Sequence, residues 1–337
     1  MRSAEPARAD QPAGSGTRFD KRLLLVLPAL LLAVFLAGPR VAVEQPQQPI
    51  SLPDDLDQYL RQSEARFDDI TPGSEKTIIW AGEPHQQTPV AIVYLHGYSA
   101  TRQETAPLSD HLAEHWGANL FYTRLSGHGR SGQAMAEPGA GDWLQDASEA
   151  LAIGKRLGRQ VIVIGTSTGA TLATWLASQQ ADQQLLAVIL ISPNFAPAAA
   201  GAKVLAWPWV EYFVPLLGSE YQWTPHNAEQ ARYWSHRYPT RALLPMMALV
   251  NSVNDLPLEK IQTPILVIHS EDDQVVSPAA IVSAYERFGS PQKQRQVLKD
   301  SQDPSHHVLA GRILAAQDTP RVESLIRQFV EGLAPSR

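Results

Sequence analysis

The sequence predicts an α/β protein with a mostly parallel central sheet, helices on both faces, and an aromatic-rich helical insertion. Three observations lead there. From Lys76 onward, short apolar runs alternate with helix-patterned segments, and strand–helix alternation implies a parallel sheet covered on both sides. The runs are continuously Val/Ile-rich instead of alternating, as in strands buried on both faces. One stretch of 70 residues between Pro193 and Pro264 breaks the rhythm and holds ten aromatic residues.

In chain order, residues 1–22 are polar and end in Lys21-Arg22. Leu23–Ala37 is uncharged and is closed by Gly38-Pro39. As a helix this run would span ~23 Å, short of a ~30 Å hydrocarbon core, a length that suits a signal-peptide core or a short anchor. Five basic residues precede it and only Arg40 closely follows, which by the positive-inside rule places the body away from the cytoplasm. The expectation is therefore a cytoplasmic segment at 1–22 and a signal anchor or signal-peptide core at 23–38. The membrane becomes a partner, and the body is periplasmic or extracellular; secretion after cleavage is the alternative. Residues 39–70 read as a Pro/Gln-rich tether with a short amphipathic helix over 54–67.

Strands are expected at Lys76–Trp80, Val90–Leu95, Asn119–Thr123, Val161–Ile164, Ala187–Ile191, Ile265–His269 and Gln296–Lys299. Helices are expected at 104–116, 142–157, 168–180, 278–288 and 320–332. The core is thus 71–193 and 264–337, with 194–263 as a cap or lid insertion. Its aromatics (Phe195, Trp207, Trp209, Tyr212, Phe213, Tyr221, Trp223, Tyr233, Trp234, Tyr238) suit either a binding element or a small core of their own.

Composition removes several function classes. With no cysteine, disulfide scaffolds, cysteine-ligated zinc, iron–sulfur clusters and thiol nucleophiles are excluded. Beyond residue 43 there are 22 basic and 31 acidic residues. An acidic body with no basic stripe repels phosphate backbones, so nucleic acid is not expected as a partner. Oligomeric state is not readable.

The chemistry is carried first by Gly165-Thr166-Ser167-Thr168-Gly169. The pattern G-x-S-x-G is common by chance; its setting is not. VIVI precedes it as a buried strand and ATLATWLAS follows it as a helix, the strand–turn–helix context of a nucleophile elbow. A serine hydroxyl needs a base, and the base needs an orienting carboxylate. Both should follow later strands, in the order Ser, acid, His. The loop Ser270–Val276 after ILVIH offers the acid, and Asp300–Leu309 after QVLK offers His306 and His307.

Four motifs together resemble the α/β-hydrolase superfamily, in its esterase- and lipase-like branch, over about residues 75–333. They are His96-Gly97 after a strand, Leu125-Ser126-Gly127-His128-Gly129-Arg130-Ser131, the elbow, and the paired acid and histidine loops. The resemblance implies Ser167 as nucleophile, Asp273 as acid (Asp272 being the neighbouring alternative) and His307 as base in preference to His306. It implies the backbone N–H groups of Tyr98 and Thr168 as oxyanion donors, with no cofactor and no metal. His96 and His128 then read as loop-packing residues.

The implied reaction is hydrolysis of a carboxylic ester through an acyl-enzyme. The ester would be a small molecule with an apolar acyl chain, such as a monoacylglycerol-like lipid. An acyl thioester or amide would use the same triad. Two other classes compete: a non-catalytic ligand-binding relative, which would lack a triad member, and an inverted zinc protease at His111-x-x-Glu114-His115. Leu108, Leu112 and Trp116 on that segment offer a plain amphipathic helix instead.

Overall fold

The computed structural model describes residues 21–46, 50–179 and 183–333. Two compact units divide the chain, 1–39 and 40–337. In the first, α1 (Lys21–Leu36) is a 16-residue helix with Pro28 inside it. Among the described residues, no helix is long and apolar enough to cross a membrane. This overturns the anchor expected at 23–38, the membrane as a partner, and the membrane-anchored localisation. The physical reason is length. Lys21 and Arg22 take up the first positions and the helix stops at Leu36, leaving a span well below the ~30 Å of hydrocarbon. Most of the segment expected at 1–22 lies outside the described residues.

The second unit begins with α2 (Leu56–Glu64), β1 (Thr77–Ile79), β2 (Thr88–Leu95), α3 (Leu108–Trp116), β3 (Asn119–Tyr122), α4 (Ala140–Leu157), β4 (Gly158–Thr166), α5 (Thr168–Ser178) and β5 (Leu185–Ile191). The next segment holds α6 (Val210–Phe213), β6 (Glu220–Gln222), α7 (Ala228–Tyr233), β7 (Arg237–Pro239) and α8 (Leu243–Asn254). It ends with β8 (Ile265–His269), α9 (Pro278–Arg287), β9 (Lys293–Val297) and α10 (Thr319–Glu331).

Seven strands form one sheet in the order β1-β3-β2-β4-β5-β8-β9. Every pairing is parallel except β1 with β3. Side chains alternate between faces along each strand, so Val163, Val188 and Val267 enter one core with Trp143, Leu172 and Ile281. Ile164, Ile189 and Ile268 enter the other with Leu108, Leu112, Val322 and Phe329. Both faces are covered, which is why these strands read as unbroken apolar runs.

Three departures from the sequence expectation have local causes. The helix expected from 104 starts at Leu108, because Pro107 disfavours α geometry at the residue before it and a 3-10 turn at Arg102–Glu104 precedes it. The last strand is Lys293–Val297, not 296–299: it is a half-exposed edge strand of sequence KQRQV, invisible to a search for apolar runs. The stretch expected to lack strands contains the ribbon β6–β7.

The aromatics of that stretch divide. Phe195, Trp234 and Tyr238 are buried, whereas Trp207, Tyr212 and Tyr221 are well exposed. Trp234 packs with Ala100, Val308, Ile313 and Leu314, and Tyr238 with Met135 and Ala242.

Candidate active site

β4 delivers Ser167 into a sharp turn. Its backbone sits at φ 54°, ψ −118°, a left-handed conformation that costs a non-glycine residue free energy and persists only where surroundings enforce it. They do so here. Ser167 N–H donates to Ile191 O at 2.9 Å, and Ser167 O accepts from Ala170 N–H at 3.0 Å and Asn194 N–H at 3.1 Å. The flanking glycines allow the close approach. A Cβ on Gly169 would overlap the Leu95 carbonyl, and one on Gly165 would lie 2.6 Å from Ala170 N. Every residue from Thr168 to Ala177 is buried, so the helix below the serine is fixed on all sides.

The acid and histidine loops follow β8 and β9. His307 Nδ1–H donates to Asp273 Oδ2 at 2.8 Å. The other carboxylate oxygen, Oδ1, accepts the Val275 and Val276 N–H groups at 2.8 and 2.9 Å. Asp272 is exposed, and its N–H is turned to Ser270 Oγ. Burial pushes His307 toward its neutral form, but the charge and hydrogen bond of Asp273 outweigh it and the net shift is upward from the ordinary histidine value. Its Nε2 and the Ser167 hydroxyl have no hydrogen-bond partner among the described residues. The two are tied together through the end of β5: Ile191 O holds Ser167 N–H, and Ser192 Oγ–H donates to His307 O at 2.7 Å.

The loop after β2 closes the third side. A Cβ on Gly97 would lie 3.2 Å from Ser167 Cβ, so this backbone borders the serine. The N–H groups of Tyr98, next on that loop, and of Thr168, at the start of α5, have no acceptor among the described residues. Tyr98 is clamped by its O–H bond to Ala242 O at 2.8 Å and by edge contacts with His128, Trp143 and Tyr238. His96 donates through Nδ1 to Gly97 O and accepts Leu125 N–H at Nε2. His128 is held near a pKa of about 4 by burial. Both rings are loop-packing groups.

Sequence reasoning missed two buried carboxylates. Asp303 Oδ2 accepts the N–H groups of His307 and Val308 at 2.9 and 2.8 Å and so shapes the histidine loop. The signal was Asp303-Pro304-Ser305, a turn-forming triplet just upstream. Glu104 Oε2 accepts Gly97 N–H at 2.9 Å; burial pushes this carboxyl up to about 7, against the pull of the Gly97 N–H and of His307. Nothing in the string RQETAP marks it.

The histidines of the zinc-protease pattern engage different partners, His111 with Glu323 and His115 with Glu331. The grouping of three potential metal ligands among the described residues is Asp55, Asp57 and His85, none of which lines this site. A cavity of about 480 Å³ elsewhere is lined by Glu64, Lys76, Arg124, Asp146 and Glu149, whose charges pair with one another.

The sequence profile of the family described as serine aminopeptidase, S33, matches residues 86–302. A thermostable monoacylglycerol lipase of Bacillus sp. (strain H-257) is 24% identical over 213 residues, covering 63% of this chain and 82% of that protein. Among solved structures, a metagenome-derived lipolytic enzyme superposes with a TM-score of 0.63 at 22% identity, covering 78% of this chain and 99% of the other. The monoacylglycerol lipase of Paleococcus ferrophilus gives 0.56 at 15% identity, covering 77% and 100%. At these identities the solved structures speak for the fold. With nearly two thirds of its length matched by the family profile, the chain belongs to the serine aminopeptidase, S33, family and is a serine hydrolase of the esterase- and lipase-like branch of the α/β-hydrolase superfamily.

Proposed function

We propose that the enzyme cleaves carboxylic esters of lipid-like substrates, monoacylglycerols among them, through an acyl-enzyme on Ser167. In this reading His307 Nε2 takes the serine proton as Oγ attacks the ester carbonyl. Asp273 holds the imidazole in the Nδ1–H tautomer and stabilises the imidazolium. The Tyr98 and Thr168 N–H groups receive the oxyanion, and such donors contribute about 3–4 kcal/mol each. The alcohol leaves with the proton from His307, and water then repeats the attack. The observation that carries the reading is the 2.8 Å bond from a buried His307 to Asp273, taken with a serine strained at φ 54°.

The substrate preference rests on two supports. Two of the similar proteins are named monoacylglycerol lipases. The segment 194–263, which we assign as a cap over a core formed by 71–193 and 264–337, carries apolar residues such as Leu205, Leu243 and Met246 that pack on or into the core. Each CH₂ of an acyl chain buried against such a surface gains about 0.8 kcal/mol.

The test is hydrolysis by the full chain of p-nitrophenyl esters from acetate to palmitate and of 1-monoacylglycerols, with Ser167→Ala alongside. Rates should peak at medium or long chains and fall by about 10⁴-fold or more in the variant. Retained activity in Ser167→Ala would reject the nucleophile. A peak at acetate would reject the apolar acyl site, and cleavage of p-nitroanilides in preference to esters would reject ester substrates.

A further inference from the structure

The two proposed oxyanion donors come from the ends of two different strands: Tyr98 follows β2, and Thr168 follows β4. Their spacing must hold to about 0.5 Å for both to reach one oxygen, and the strand pairing stops before them. The last registered pair of β2 and β4 is Leu95 with Gly165. Beyond it, the gap is bridged by side chains.

Glu104 is at the centre of that bridge. It is 2% exposed. One of its oxygens, Oε2, accepts the Gly97 N–H at 2.9 Å and the Tyr94 O–H at 3.0 Å. The Tyr94 hydroxyl lies 3.1 Å from Thr166 Oγ1. With the Tyr94 proton committed to the carboxylate, Thr166 O–H donates to Tyr94. The result is a continuous path from Gly97, the residue before Tyr98, through Glu104 and Tyr94 to Thr166, the residue before Ser167. The carboxylate and the serine both border Gly97, since a Cβ there would meet Glu104 Oε1 at 2.7 Å and Ser167 Cβ at 3.2 Å. Just past the turn that carries Glu104, the backbone receives the segment after the histidine loop: Arg312 N–H donates to Ala106 O at 2.9 Å.

We propose that Glu104 is a positioning residue for the oxyanion hole, and that its single oxygen Oε2 fixes the His96–Gly97 peptide, and through it the adjoining Tyr98 N–H, relative to the Ser167 elbow by way of Tyr94 and Thr166. The proposal rests on Ser167 being the nucleophile. A buried carboxyl costs stability unless it is fully hydrogen-bonded. An apolar residue would pack this space more simply. What the carboxylate adds is an acceptor for two donors that have to stay in register.

The test compares Glu104→Gln, which keeps an acceptor oxygen, with Glu104→Leu, which has none. Tyr94→Phe, which removes only the hydroxyl, is the third variant. Each is assayed for kcat and KM on a medium-chain p-nitrophenyl ester and for Ki of an alkyl trifluoromethyl ketone, whose adduct carries the oxyanion. Glu104→Leu should lose about 100-fold in kcat, the order of an oxyanion donor, with KM within about threefold and ketone affinity lost in parallel. Glu104→Gln should stay within about fivefold of wild type, and Tyr94→Phe should lose about tenfold.

Full kcat in Glu104→Leu overturns the proposal, as does equal loss in the Gln and Leu variants. If Glu104→Leu does not fold, Tyr94→Phe decides: unchanged kcat and ketone affinity in that variant overturn it. Ser167→Ala runs beside them. Turnover that survives in it rejects the nucleophile reading; its loss, with Glu104→Leu fully active, rejects only the role of Glu104.

Discussion

Replacing Asp273 by Asn should nearly abolish turnover while leaving the fold intact, and the structure says why the smallest change at this position is so costly. The two carboxylate oxygens have separate duties: Oδ1 accepts two backbone N–H groups, from Val275 and Val276, and Oδ2 accepts His307 Nδ1–H. In Asp273→Asn the amide has one acceptor and one donor end. Two backbone donors on one side fix the oxygen there, so the NH₂ group is forced to face His307. The imidazole must then accept at Nδ1 and carry its proton on Nε2, which in the proposed mechanism leaves it unable to take the proton from Ser167. The expected loss is about 10³–10⁴-fold in kcat, or about 4–5.5 kcal/mol in the barrier. KM should move little, because no ligand contact changes. The assay is steady-state hydrolysis of a p-nitrophenyl ester at pH 7.5, with thermal unfolding as the control for the fold. Exposed Asp272→Asn serves as the matched substitution and should be neutral. A kcat within tenfold of wild type in Asp273→Asn, or a larger loss in Asp272→Asn, would refute the reasoning.

Two more predictions concern charge. As the proposed base, His307 must be neutral to act, and its raised pKa keeps it protonated to higher pH. The acid limb of kcat/KM should therefore have its midpoint above the ordinary value of 6.5, and a midpoint below it in a pH 5–9 profile would contradict the assignment. Glu104, pushed up to about 7, titrates in the same window, so the limb belongs to the pair and not to one residue. Stability runs the other way: the contribution of protonated His307 is fully present below the unfolded value and fades as pH rises through the folded one. Arg124 makes a two-pronged contact with Glu64, both bonds at 2.8 Å, with the guanidinium side chain 4% exposed. Arg124→Met should cost about 3–5 kcal/mol by leaving the Glu64 carboxylate buried without its cation; a loss below 1 kcal/mol in urea unfolding would show the pair to be dispensable.

What could be read in the sequence was whatever neighbours in the chain determine. VIVI, the two glycines and ATLATWLAS specify a strand, a tight turn and a buried helix without help from elsewhere, and the elbow forms where they put it. The order of strands then brought the loops at 270–276 and 300–309 to the same end of the sheet. Glu104 and Asp303 were hidden for the converse reason. An acidic residue among polar neighbours reads as solvated, and only the packing of distant segments takes it out of water. β9 was placed too late in the chain because an edge strand needs only one apolar face, so KQRQV carries no run to mark its start. The N-terminal reading failed on a threshold. An apolar run flanked by basic residues made Leu23–Ala37 resemble a short anchor, but the helix that forms ends at Leu36 and is not long enough to cross a membrane.

The strained turn at Ser167 also bears on when the enzyme becomes active during its own synthesis. The turn is held by the end of β5, and the imidazole is set by the loops after β8 and β9, so the groups of the proposed site are drawn from stretches more than 200 residues apart, Gly97 to His307. Long-range strand pairings of this kind form late. The proposed base is also the last of these groups to be translated. If Ser167 and His307 act as proposed, a nascent chain that already contains the serine still lacks its proton acceptor. Hydrolytic competence becomes a signal that the whole sheet has closed, and a recovering esterase signal in a refolding experiment would time the final registration of β9.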